Sequence, residues 1–202
     1  MRRIEIRGLL TIENRRLGRK VVSEGVFTRN SYKLLYQVFN AIANEEDVVT
    51  VKDVMGNNVN INARLRVLDL SNYSFITNIY HLLSSVGDCG IPTGLYVVLT
   101  TQDYTPTPND YYLPSTDIFV SLTNRSVVEN PNNSILVLSG SEIAPTELTV
   151  KGAGVIANIF PYQKLTSKTC TTHAVLIDGF AVTPITFVTG DTITVTYRLI
   201  LS

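Results

Sequence analysis

The chain has 202 residues, of which 45% are apolar and 17% are charged, with equal numbers of acidic and basic side chains. This composition can supply a sizeable core and excludes an intrinsically disordered chain. The sequence contains no run of about 18 apolar residues, which excludes a hydrophobic membrane-spanning helix. Frequent Ser, Thr and Asn residues favour strands and loops over helices.

The first 20 residues are basic, because seven arginines and lysines stand against two acids and give a charge of +5. Alternating apolar residues predict a strand at 3–13, and a loop is predicted at 18–30. One interpretation of the charge is a nucleic-acid, membrane or subunit contact, and the other is a strand edge protected by arginine. The candidate contact residues are Arg2, Arg3, Arg15, Arg16, Arg19 and Lys20.

One amphipathic helix is predicted near residues 31–44. Its apolar residues recur at the spacing of a single helix face, which predicts a buried stripe. Asn30 or Ser31 is suited to cap the start of this helix. The residues of the stripe are Leu35, Val38, Phe39 and Ile42.

The rest of the chain predicts an antiparallel β fold, because turn residues recur at short intervals between alternating segments. A hairpin is predicted around the "MGNN" turn, and residues 102–117 are predicted to be a proline-rich loop. Residues 73–92 fit either a short helix or a covering loop. Other strands are predicted near 94–101, 117–128, 134–139, 147–151, 154–160, 173–188 and 192–201. We expect a β-sandwich of jelly-roll type, with a basic strand and arm at 1–30 and a single domain at 31–202.

The last two predicted strands fit a hairpin around the loop 189–191. Phe187 would lie opposite Ile193 and Thr186 opposite Thr194, so that one face is apolar and the other is threonine. Gly190 supplies the permissive turn position. The final strand is therefore expected to belong to the core. Its inward-facing residues would be Ile193, Val195, Tyr197, Leu199 and Leu201.

Catalytic motifs are not found in the sequence, which has no G-x-S-x-G elbow, phosphate-binding loop or dinucleotide fingerprint. Neither His81 nor His173 lies near an acid and a nucleophile in a recognised spacing. A zinc site would need these histidines together with Cys89 and Cys170, and two free thiols are the favoured interpretation. A disulfide between Cys89 and Cys170 is the alternative, if the fold brings the two residues close together. We therefore expect no enzymatic activity, no cofactor and no metal.

The loop at 102–117 contains the most distinctive polar and aromatic patch. Asn109, Asp110, Tyr111 and Tyr112 could stack on a sugar ring and hydrogen-bond its hydroxyls, because tyrosine has an apolar ring and a polar tip. In the favoured interpretation, the prolines stiffen the connection and the tyrosines attach it to the sheet.

Three segments of the second half of the chain are distinctive: "TPTPNDYYL", "TELTVKGAGVIANIF" and "HAVLIDGFAVTPITFVTGDTITVTYRLILS". Their order resembles that in a family of small structural proteins of tailed phages and archaeal viruses. The resemblance covers about residues 94–202, and a weaker one covers "VVSEGVFTRNSYKLLYQVF" and "VTVKDVMGNNV". The chain has Gly152-Ala153-Gly154-Val155 where the family usually has an acid followed by glycine and leucine. The resemblance implies a virion component of the capsid, tail, baseplate or spike class, with no active-site residue.

The expected function is therefore that of a structural virion subunit that assembles into a symmetric oligomer. The alternative is a receptor- or glycan-binding spike module, and a weaker alternative is an intracellular hydrolase on a β scaffold. Expected partners are other copies of the chain, other virion proteins, packaged nucleic acid at the basic N-terminal residues and a host-surface glycan. The N-terminus has no apolar core of signal-peptide length, so we expect synthesis in the host cytoplasm and location in the virion.

Overall fold

The computed structural model describes residues 5–40, 48–62, 95–159 and 173–202. In these ranges the protein is mainly β, with antiparallel sheets and one helix, α1 (Arg29–Asn40). The helix is not long and apolar enough to cross a membrane. The strands are β1 (Ile6–Asn14), β2 (Arg19–Glu24), β3 (Val26–Phe27), β4 (Val48–Lys52), β5 (Asn58–Asn62), β6 (Leu95–Thr100), β7 (Ile118–Ser121), β8 (Asn124–Asn130), β9 (Asn133–Ile143), β10 (Leu148–Ile159), β11 (His173–Phe187) and β12 (Thr192–Leu201).

Two five-stranded sheets contain most of the residues that the structure describes. Sheet A has the order β2-β1-β12-β9-β8, sheet B has the order β3-β11-β10-β6-β7, and β4 pairs with β5 as a separate hairpin. Buried residues of both sheets belong to one apolar cluster, which includes Leu10 and Val195 from sheet A and Leu99 and Phe187 from sheet B. The burial of this shared cluster is the main source of stability in a protein of this size.

The final strand lies in the core, as the sequence predicts. β12 is the middle strand of sheet A, where Val195 lies opposite Ile12 on β1 and opposite Gly140 on β9. Its alternate residues are buried, and Leu201 at its end is half-buried. The buried residues of this face are Ile193, Val195, Tyr197 and Leu199, and Ile200 next to them is buried as well.

The predicted hairpin between β11 and β12 is wrong, because the two strands belong to different sheets. Thr186 lies opposite Thr149 on β10, not opposite Thr194, and the two hydroxyl oxygens are 2.9 Å apart. The turn at 188–191, in which Gly190 has a φ of 86°, instead links sheet B to sheet A. Alternation determines which side chains face the core, but it does not determine which strand lies alongside.

Helix α1 begins at Arg29, two residues before the predicted start, so Asn30 and Ser31 lie in its first turn instead of capping it. The Ser31 hydroxyl donates to the Ile177 carbonyl of β11. The Asn30 amide donates to the Lys52 carbonyl at 2.8 Å and accepts from the Lys52 N–H at 3.0 Å. These bonds hold the helix against β11 and β4. The predicted stripe of Leu35, Val38, Phe39 and Ile42 lies outside the described side chains.

The remaining differences from the predicted elements involve strand boundaries. The predicted loop at 18–30 contains β2, whose charged and polar residues give a weak strand signal, and β3, which has only two residues. The predicted strand at 117–128 is two strands, β7 and β8, which lie in different sheets. The two strands predicted between 147 and 160 are one strand, β10, with register irregularities near Gly152 and near Ile156. The ambiguous segment 73–92 lies outside the described residues.

Candidate functional site

The connection between β6 and β7 carries the four residues that the sequence predicts to bind a ligand. The Asp110 carboxylate accepts hydrogen bonds from the Tyr104 hydroxyl at 2.9 Å, the Thr107 N–H at 2.8 Å and the Thr107 hydroxyl at 2.7 Å. Asn109 is exposed beside it. Asp110 therefore stabilises the loop from within.

Tyr104 attaches the same loop to sheet B. A Cβ atom placed on Gly152 would lie 2.6 Å from the Tyr104 Cβ, and one placed on Gly179 would lie 2.5 Å from the Tyr104 hydroxyl. Glycine at these two strand positions therefore makes room for the tyrosine. Burial and the neighbouring Asp110 carboxylate raise the pKa of Tyr104 above its ordinary value, which keeps the phenol protonated as a donor.

Tyr111 lies against the turn that follows β4, and Tyr112 lies beside Tyr111. The Lys52 ammonium is 5.0 Å from the Tyr111 ring centroid, and a Cβ on Gly56 would be 3.5 Å from that ring. The Tyr112 ring is tilted against Tyr111, with centroids 4.9 Å apart. Tyr112 is 53% exposed and Met55 is 80% exposed. We call Tyr111, Tyr112 and Met55 the tyrosine patch.

An acid–histidine pair links the same hairpin to β11, and the sequence alone did not reveal it. Asp53 Oδ2 is 2.8 Å from His173 Nδ1, and Asp53 also accepts the N–H groups of Met55 at 3.0 Å and Asn57 at 2.8 Å. Burial opposes ionisation of Asp53, but the hydrogen bonds from His173 and Asn57 outweigh it, and the pKa of this carboxyl is lowered. The pair joins the hairpin to the start of β11. The 120 residues between its members explain why no spacing motif indicates it.

This pair has the geometry of a histidine oriented by a carboxylate, as found in general-base sites. Within the described residues, the His173 ring is hydrogen-bonded to Asp53, and no nucleophilic side chain is hydrogen-bonded to the ring. No group of three or more metal-binding side chains occurs within the described ranges. His81, Cys89 and Cys170 lie outside them.

The predicted basic contact residues fall into three groups. Arg2 and Arg3 lie outside the described residues. Arg16 forms an ion pair with Asp191 of the turn between β11 and β12. The remaining three are exposed at the end of the β1–β2 hairpin: Arg15, Arg19 and Lys20.

Asp191 joins that hairpin to the turn between the sheets. Besides Arg16, its carboxylate accepts hydrogen bonds from the Asn14 amide at 2.9 Å and from the Val188 N–H at 3.0 Å. The Arg16 hydrogen bond is the largest influence on the Asp191 carboxyl, and its pKa is lowered to about 2. Asn14 is buried and also donates to the Thr186 carbonyl at 3.1 Å, so this cluster connects both sheets.

Asp178 of β11 is buried between strands of both sheets. Its Oδ2 accepts a hydrogen bond from the Tyr197 hydroxyl at 3.2 Å, whereas Oδ1 has no well-formed hydrogen bond to a described residue. A Cβ placed on Gly8 or on Gly25 would lie within 2.5 Å of a carboxylate oxygen, so glycines enclose the group. Desolvation raises the pKa of Asp178 to about 7 despite the Tyr197 hydrogen bond.

Comparison of the chain with protein-family models, with curated proteins and with solved structures found no match.

Proposed function

We propose that this chain is a structural subunit of a virus particle, of the capsid, tail, baseplate or spike class, that assembles into a symmetric oligomer and catalyses no reaction. One observation carries the proposal: the polar side chains in its loops and turns form hydrogen bonds to other parts of the same chain. Asp53, Asp110 and Asp191 each accept several hydrogen bonds within the chain. Such internal bonding favours a rigid building block.

The order of the strands supports the jelly-roll part of this proposal. β1 near the start of the chain pairs with β12 at its end, and β3 pairs with β11 in the other sheet. Pairing of early strands with late strands in both sheets is expected when a long hairpin is wrapped into two layers, as in a jelly roll. Two-layer β blocks of this kind occur in viral capsids.

The proposal includes location in the virion and contacts with other copies and with other virion proteins. The exposed cluster of Arg15, Arg19 and Lys20 is a suitable surface for packaged nucleic acid or an acidic neighbour. Its attraction to phosphate would weaken with added salt, because counterions screen exposed charges.

Mass spectrometry of purified particles tests the proposal. We expect this chain at a fixed number of copies relative to the major capsid protein, and it should stay with the particles through density-gradient purification. Its absence from particles produced by cells that express it would overturn the virion assignment.

A second candidate function is glycan or receptor binding at the tyrosine patch. Exposed Tyr112 beside the Tyr111 ring, with exposed Met55 in the turn that this ring approaches, favours it, because exposed aromatic surface suits stacking on a sugar. On a glycan array, Tyr112→Ala should lose binding, whereas Phe119→Ala removes an equally exposed ring elsewhere and should keep it. Absence of binding by the unaltered protein would remove this candidate.

The weaker hydrolase alternative depends on the pair of Asp53 and His173. It predicts turnover of an ester or glycoside substrate that His173→Ala abolishes and His173→Gln does not restore. A panel of such substrates with no turnover by the unaltered protein would leave the pair with a structural role.

A further inference from the structure

β2 is the outermost strand of sheet A in the described part of the chain. Just after it, the Gly25 N–H donates to the Gly8 carbonyl of β1 at 2.9 Å. Because hydrogen-bonding residues alternate along an antiparallel strand, the odd-numbered residues of β2 bond to β1. The even-numbered residues therefore direct their N–H and C=O groups away from β1, to the side on which β11 pairs with the following strand, β3, and on which no described strand pairs with β2.

Those even-numbered residues are Lys20, Val22 and Glu24, and all three are exposed. Val22 lies opposite Thr11, while its neighbour Val21 packs on the core, so the three side chains lie on the outer face of sheet A. Val22 is 59% exposed. An open backbone edge with an exposed β-branched residue at its centre can pair with another strand.

The sequence of this edge is complementary to itself. If two β2 strands lie antiparallel with Val22 opposite Val22 of a second copy, Lys20 falls opposite Glu24 of that copy, and Glu24 falls opposite its Lys20. Directly opposed residues share a face and their side chains interact, so this register gives two opposite-charge pairs flanking an apolar pair. It also matches the three residues whose backbone groups are directed outward.

We propose that two copies of this chain associate through β2, forming one ten-stranded sheet about a two-fold axis at Val22. This contact rests on the proposed function in one respect: it would be one of the subunit contacts of the proposed oligomer. Association of the purified chain does not depend on any virus particle. A two-fold contact of this kind is isologous, so one patch of surface serves both partners.

Other registers fit less well. A shift of one residue would place core-facing side chains opposite outward-facing ones, which the sheets cannot accommodate. A shift of two residues in one direction would place Lys20 opposite Val22 and Glu24 opposite Gly18. A shift of two in the other direction would place Glu24 opposite Val22. Both shifts lose the two charge pairs.

The opposite edge of the sheet offers a matched control. Val128 of β8 is 44% exposed and lies opposite Ile135, on the same outer face as Val22. Val22→Lys should weaken dimerisation by about tenfold or more, because it adds two like charges at the two-fold axis. Val128→Lys should leave dimerisation unchanged. Sedimentation equilibrium over a range of concentrations measures both.

Charge exchange tests the register itself. Lys20→Glu and Glu24→Lys should each weaken self-association, because each creates like-charge pairs. The double variant Lys20→Glu with Glu24→Lys should restore it, and a mixture of the two single variants should form a mixed dimer. Thermal melting of each variant separates lost association from lost folding.

A purified chain that is monomeric at every concentration would overturn the proposal while leaving the virion assignment untouched. A dimer that forms equally well with Val22→Lys, or one that the double exchange fails to restore, would also overturn it. Absence of the chain from particles, with β2-dependent dimers in solution, would instead overturn only the proposed function.

Discussion

Two turns of this protein each contain a buried aspartate and a glycine, but they connect different kinds of structural element. The turn after β4 contains Asp53 and Gly56, and the turn after β11 contains Gly190 and Asp191. Both aspartates are buried and accept backbone N–H bonds, and the glycines have φ values of 83° and 86°. The first turn closes a hairpin between β4 and β5, while the second carries the chain from sheet B to sheet A.

The partners of the two aspartates explain the difference. Asp53 bonds to its own turn and to His173 at the start of β11. Asp191 bonds to Asn14 at the end of β1 and to Arg16 in the turn between β1 and β2. It therefore attaches the turn to sheet A, whereas the preceding strand, β11, belongs to sheet B. Local sequence therefore predicts that the chain turns, whereas distant residues determine what the turn joins.

The largest expected effect tests whether the strand after the second turn belongs to the core. Val195→Asp should prevent folding, because it buries an unpaired carboxylate in the centre of sheet A. Thr196→Asp places the same charge on the opposite, partly exposed face and should leave a folded protein. Soluble expression and thermal melting measure both. Folding of Val195→Asp would contradict the burial of Val195 in the core.

A third buried aspartate has no turn to stabilise and should respond to pH in the opposite direction. Because the pKa of Asp178 is raised to about 7 in the folded protein, folding favours the protonated carboxyl. The stability from this group is therefore complete near pH 4 and is lost as pH rises to 7. The lowered pKa of Asp191, about 2, gives stability that is lost as pH falls below 4. Melting temperatures across this range should therefore show a maximum.

The variant Asp178→Asn should remove the decline between pH 4 and 7. We expect it to gain a few kcal/mol at pH 8, because each unit of pKa shift corresponds to about 1.4 kcal/mol. The decline below pH 4 should remain. An unchanged profile above pH 4 would mean that Asp178 is ionised in the folded protein at little cost.

Removal of each turn aspartate should separate a local connection from one that joins the sheets. Asp53→Ala should cost about 1–3 kcal/mol, since it leaves turn N–H groups without their acceptor. Asp191→Ala should lower the melting temperature further, because buried Asn14 loses a partner and Arg16 loses its counter-ion. Equal losses would indicate that the two turns contribute alike.

The smallest effects concern the two glycines. Gly190→Ala and Gly56→Ala should each cost about 1 kcal/mol, because both residues have positive φ. A Cβ on Gly190 meets no atom within 4 Å, and one on Gly56 only touches the Tyr111 ring, so steric clash adds little in either case. Asparagine tolerates this backbone conformation better and should cost less at both positions. Denaturant unfolding resolves differences of this size.

Much of the fold could be predicted because its signal is periodic. Burial of alternate residues in β12 and the turns at Gly56 and Gly190 follow directly from the sequence. The pairing of β11 with β12 was wrong because every strand of a two-layer protein buries one face, so the same alternation fits a neighbour in either sheet. β2 was missed because an edge strand with charged residues does not alternate clearly.

The candidate site was only partly predictable. The aromatic loop was evident, but its attachment depends on Gly152 and Gly179, which reveal their role only once Tyr104 lies on them. The pair of Asp53 and His173 joins residues far apart in the chain, and no local pattern encodes such a contact.

The pairing of the outermost described residues has a mechanical consequence. The Glu5 N–H donates to the Ser202 carbonyl at 2.8 Å, and the Ser202 N–H returns a bond to the Glu5 carbonyl at 3.0 Å. Tension that separates these residues acts across β1 and β12, so it loads their hydrogen bonds one pair at a time from the Ile6–Leu201 end. Sheet A would unzip from this end at low force, whereas loading along the strands would strain all the pairs at once.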